Sequence, residues 1–135
     1  MLKINSLSVG NYVIHKGNRI EYHQGLVSKL PLASNAIDYE ERDGEYLLDV
    51  EGIPLTQEQF ERLGFMVTKA AEDGREFYRI YDNWCIQVRG NVYTLAFISM
   101  NEKEAINDFS QIFSYVHELQ NFYKGIARDD LKYKH

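Results

Sequence analysis

Apolar and polar residues alternate with a period near two through most of this chain, and with a helical period in only two places. In "NYVIH" (11–15), Tyr12 and Ile14 fall on one side of an extended segment and Val13 on the other. "KGN" follows, a tight-turn signal, and then "IEYHQGLVSKL", which reads as a strand with a bend or bulge at Gly25. A weak strand at "AIDYE", a "DG" turn at 43–44 and a strand at "EYLLDV" come next. Four or five short strands in about the first 50 residues predict a small, curled, SH3-like β-lobe over residues 1–52.

The first helical signal is "IPLTQEQFERLGF". Thr56 suits an N-cap, because its hydroxyl can accept from a backbone N–H that has no helical partner. Gln59 three residues on completes a capping box, and Leu55 with Phe60 a hydrophobic staple. Gly64 can adopt the left-handed conformation that ends a helix, letting Phe65 fold back toward Phe60. The prediction is a short linking helix over 57–63.

A four-stranded antiparallel meander is expected over 65–98, from "FMVTKA", "EFYRIY", "WCIQV" and "VYTLAFI" with turns at "EDGR", Asp82–Asn83 and "RGN". The last signal predicts a helix over 108–126, capped by Asp108. Phe109, Ile112, Phe113, Tyr115, Val116, Leu119, Phe122, Tyr123 and Ile126 fill one arc of it. The expected fold is α+β: the β-lobe 1–52, then an α+β lobe 53–135 in which this helix covers the meander, the whole forming one compact unit.

Composition narrows the function classes. Apolar residues make up 44 % of 135, and ten Tyr and seven Phe suit packed strands. The net charge of −5 argues against broad electrostatic binding to nucleic acid or anionic membranes. Cys85 is the only cysteine, so no intrachain disulfide can form, and a reducing cytoplasm is the expected setting. The opening "MLKINSLSVGNYV" has no continuous apolar core of a leader peptide, and no run approaches a membrane span.

Candidate chemistry is concentrated in "YVHELQNFY" (115–123). His117, Gln120, Asn121 and Lys124 lie on successive turns and are neighbours. Gln120 falls within the apolar arc, so it needs partners there, most simply backbone groups of a strand edge or loop. The structural reading is a polar clasp that fixes the helix. The chemical reading makes His117 a general base or metal ligand with Asn121 as its orienter. Tyr78, Arg79, Tyr81, Arg89 and Tyr93 form a second candidate, an aromatic and basic sheet face able to stack nucleobases. His15, His23 and Cys85 bring no metal-ligand spacing, and phosphate-loop, dinucleotide and nucleophile-elbow motifs are absent. Neither catalytic residues, a metal nor a cofactor are assigned.

"LSVGNYVIHKGNRIEY", "GIPLTQEQFERLGF" and "YVHELQNFY", in that order, resemble a family of small proteins encoded in Bacteroidetes genomes and their phages or mobile elements. In that family a Gly follows the closing helix, where this chain has Arg128. The resemblance implies no activity and transfers no site residues. The reading that follows is a non-enzymatic, cytoplasmic protein-interaction module of such a locus. A nucleic-acid-associated module is the alternative, and a small enzyme centred on His117 the second. Hairpin edges and an aromatic helix also fit self-association across a two-fold axis.

Overall fold

A computed structural model describes residues 1–27, 36–67, 76–80, 84–89, 92–98 and 105–134. The first strands are β1 (Leu2–Lys3), β2 (Tyr12–His15), β3 (Asn18–Glu21), β4 (Tyr39–Arg42), β5 (Glu45–Leu48) and β6 (Glu51–Gly52). Helix α1 (Gln57–Arg62) precedes β7 (Met66–Val67), β8 (Glu76–Ile80), β9 (Trp84–Arg89), β10 (Val92–Ile98) and β11 (Ala105–Ile112), and α2 (Val116–Ala127) follows. The class is α+β with antiparallel sheets. No described helix is long and apolar enough to cross a membrane.

The chain divides into two compact units. The first is Met1–Pro54 with Tyr115–Asp130, and the second is Leu55–Ser114 with Leu131–His135.

In the first unit the N-terminal strands form two three-stranded sheets, β1-β5-β4 and β3-β2-β6, instead of a single curled one. Both hairpins turn on two residues with positive φ, Lys16–Gly17 (51° and 79°) and Asp43–Gly44 (52° and 81°). That pair of signs defines the turn whose twist matches antiparallel strands, which is why Gly stands second in both. The strand expected around Gly25 ends at Glu21, and Gln24–Leu26 form a 3-10 turn. Alternation along β2 buries Val13 and His15 and leaves Tyr12 and Ile14 half-buried. Val13 joins Tyr22, Ile37, Leu48 and Val50 in a fully covered core, with Leu2, Leu7 and Ile20 packed around it.

In the second unit α1 forms for local reasons. Gln59 N–H donates to Thr56 Oγ1 at 3.3 Å, the N-cap bond. At the other end Gly64 takes φ 96°. Its N–H bonds to Glu61 O, and Phe65 N–H reaches back to Phe60 O at 2.9 Å. This double return satisfies two carbonyls that would otherwise lack partners. The Phe60 and Phe65 rings then meet edge-on at 6.3 Å, both buried. The reciprocal half of the capping box is replaced: Gln59 Oε1 accepts from Tyr133 Oη at 2.5 Å.

The sheet of this unit has five strands in the order β11-β10-β9-β8-β7, not the four expected. Its fifth strand overturns the predicted start of the closing helix. Residues 105–112 pair with β10, with Thr94 opposite Ile112 and Ala96 opposite Asp108, and Asp108 is therefore not an N-cap. "AINDFSQI" mixes Ile and Phe, which suit strands, with Asn, Asp and Ser, which are weak inside helices. The open edge of β10 decides between the two periods. The helix starts at Val116, where Glu118 Oε1 accepts from Tyr115 N–H at 2.9 Å.

Helix α2 falls in the first unit, where it packs against β2.

Candidate functional site

Two of the four helix residues singled out by sequence, Gln120 and Asn121, converge on residues 6–12. Gln120 is 5 % exposed. Its Oε1 accepts from Tyr12 N–H at 2.8 Å and its Nε2 donates to Gly10 O at 3.0 Å. The side-chain amide thus mimics one more strand residue beside the start of β2, which is how a buried amide avoids a desolvation penalty. Asn121 uses both ends of its amide as well. Its Oδ1 accepts from Asn11 Nδ2 at 2.8 Å, and its Nδ2 donates to Ser6 O at 3.0 Å.

The turn receiving these bonds is itself tightly held. Asn11 Oδ1 accepts from Ser8 N–H at 2.9 Å, while Asn11 N–H donates to Ser8 O at 3.0 Å. Gly10, at φ 95°, and Asn11 exchange backbone bonds with Tyr22. A side chain at position 10 would be strained in this conformation. Asn11 is 3 % exposed and central to the clasp, yet the sequence reading did not select it. The available signal was a Gly-Asn pair directly before an alternating strand, which marks a turn whose Asn side chain is committed to backbone.

His117 is buried at 3 % exposure, its ring stacked on Tyr115 with centroids 5.8 Å apart and planes 15° from parallel. Its Nδ1 is buried without a hydrogen-bond partner among the described residues. Burial pushes its pKa below the ordinary histidine value, with the Glu118 carboxylate acting in the opposite direction. Asn121, engaged by Asn11 and Ser6, does not orient the imidazole. Lys124 stands apart from the clasp: it is exposed and pairs with Asp130 at 2.9 Å. Such a surface pair contributes little.

Tyr78, Arg79, Arg89 and Tyr93 of the second candidate lie on β8, β9 and β10. Register pairs Tyr78 with Ile86 and Val88 with Tyr93, and Arg79 with Cys85 and Arg89 with Val92. Ile86, opposite Tyr78 in the register, is fully buried, and Tyr93 is half-buried. The Tyr93 ring lies edge-on against Phe60 at 5.1 Å, a core contact. Tyr81 lies outside the described residues. Among the other histidines, His15 is buried with Nε2 unpartnered among the described residues, and His23 is exposed. Among the described residues no group of three or more His, Cys, Asp or Glu could hold a metal.

No family model matches the chain, and no curated protein or solved structure does either.

Proposed function

We propose that this chain is a non-enzymatic interaction module that binds a protein partner through the β4–β5 hairpin. The observation that carries the reading is an aromatic pair left on the surface there. Tyr46 is 46 % exposed and meets Tyr39 edge-on at 5.6 Å. Large amphipathic rings with a fixed neighbour supply contact area at low entropic cost, which is why such residues dominate interface hot spots.

Charge supports the same surface. Residues 38–51 carry seven carboxylates against one cation, Arg42, more negative charge than the −5 of the whole chain. Arg42 is paired with Glu40 and Lys3 with Glu45. A partner segment with basic and apolar side chains fits this chemistry by charge complementarity and by cation–aromatic contact. Gln120 and Asn121 of α2 are meanwhile engaged in holding the chain to itself. A cytoplasmic setting and a phage or mobile-element locus rest on the cysteine usage and on the motif resemblance.

The test is co-purification of the tagged full chain from native cells, alongside Tyr46→Ser, Glu41→Lys and, as a control on α1, Glu61→Lys. A protein that accompanies the wild type and the control but not the hairpin variants supports the reading. An unchanged set of companions with all three variants overturns it. A companion removed by nuclease selects the nucleic-acid alternative.

A further inference from the structure

We propose that α2 is an acid-released latch: protonation of His117 detaches the first turns of the helix from residues 6–12 and opens the Gln120–Asn121 clasp. The argument starts from where the ring sits. His117 is the second residue of α2 and is 3 % exposed, with Tyr115 stacked on it. A neutral imidazole can leave one nitrogen as an unpaired acceptor at tolerable cost. The cation carries a proton on both nitrogens, and the one on Nδ1 would be buried with no acceptor for it among the described residues.

Position adds a second penalty. The first turn of a helix concentrates the partial positive charge of its unpaired N–H groups, so a cation is disfavoured there. Glu118 is the opposing charge, but its Oε1 already accepts from Tyr115 N–H. Of the elements packed on the helix, β2 contributes Tyr12 and His15 as ionisable side chains. The stretch 6–11 held by the clasp has none, and Glu51 on β6 is exposed. No buried carboxylate therefore stands ready to receive the new charge from these segments.

The coupling is geometric. Gln120 and Asn121 lie three and four residues on, one turn along the same side of the helix. The turn that must move to hydrate His117 carries the amides that bind Gly10, Tyr12, Asn11 and Ser6. The sign follows from proton counts. The closed form holds His117 neutral and the opened form lets it titrate at its ordinary value. Opening is then favoured as pH falls below about 6.5, by about tenfold per pH unit while the closed form stays unprotonated.

Hydrogen exchange of the full chain between pH 7 and pH 5, corrected for intrinsic rates, tests this. Protection in 116–123 and 10–12 is expected to drop by about tenfold per unit below pH 6.5, with α1 as the internal reference. His117→Gln, which cannot be protonated there, is expected to remove the pH dependence. Protection that holds to pH 5, or falls equally in His117→Gln, overturns the latch. If His117→Gln does not fold, the ring resonances of His117 in the wild type decide. Titration in step with helix opening supports the proposal, and titration at the free-histidine value with the helix still protected overturns it.

Discussion

Gln120 and Tyr12 are 108 residues apart in sequence, and the side chain of one accepts the backbone N–H of the other at 2.8 Å. With Nε2 on Gly10 O, one amide ties the two ends of the first unit together. Gln120→Leu keeps the volume and the apolar surroundings but removes the acceptor for Tyr12 N–H. A backbone donor buried without a partner costs about 1–3 kcal/mol. The expected outcome is a loss of that size in chemical denaturation. Gln120→Glu is expected to behave differently with pH, because a carboxylate restores the acceptor and repels Gly10 O. It should recover part of the loss only when acid protonates it.

Gly52 is held by contact rather than by backbone conformation. A Cβ at this position would lie 2.6 Å from Cδ1 and 2.7 Å from Cγ of Tyr115. Gly52→Ala must displace that ring, and with it the stacking on His117. Overpacking of this kind typically costs about 1–3 kcal/mol. Tyr115→Ala removes the obstacle, so the double variant should be much less destabilised than the sum of the two. A double-mutant cycle that gave simple additivity would show that Tyr115 has another place to go.

These two sites show which parts of the fold a linear reading can reach. Helix α1 was legible because Thr56, Gly64 and Phe65 act within a few residues of one another. The hairpin turns at Lys16–Gly17 and Asp43–Gly44 were legible for the same reason. Position alone showed that Gln120 needed partners, but nothing local pointed to Gly10 and Tyr12. Residues 105–112 were misread because the spacing of Phe109, Ile112 and Phe113 fits a helix, while the strand period depends on β10 being there to pair with.

Helix α2 carries its glycine three residues too early. Gly125 lies inside the helix with nothing within 4 Å of a built Cβ, whereas Arg128 caps it at φ 56°. Gly in a helix interior costs about 0.5–1 kcal/mol relative to Ala, and a side chain in the left-handed region costs about 1 kcal/mol or somewhat more. Gly125→Ala and Arg128→Gly are each expected to raise stability by about 0.5–1 kcal/mol, and together by nearly the sum. Thermal unfolding followed by far-ultraviolet circular dichroism would read both. A drop on Arg128→Gly would mean that the arginine side chain has a stabilising contact at the helix end.

The last residues fasten to α1 within the second unit. Leu131 is 3 % exposed, Tyr133 Oη donates to Gln59 Oε1, and Lys134 N–H donates to Arg62 O at 2.6 Å. The last bond caps a carbonyl at the end of α1 that has no partner within the helix. Leu131→Ala opens a cavity in a covered site and is expected to cost about 2–4 kcal/mol. Tyr133→Phe removes one hydrogen bond from a partly buried pair and is expected to cost about 0.5–1.5 kcal/mol. Because both act on the second unit, exchange protection should fall in α1 and β9 for Leu131→Ala, while the clasp amides at 10–12 stay protected. Loss of protection at 10–12 to the same degree would show that the two units unfold as one cooperative body.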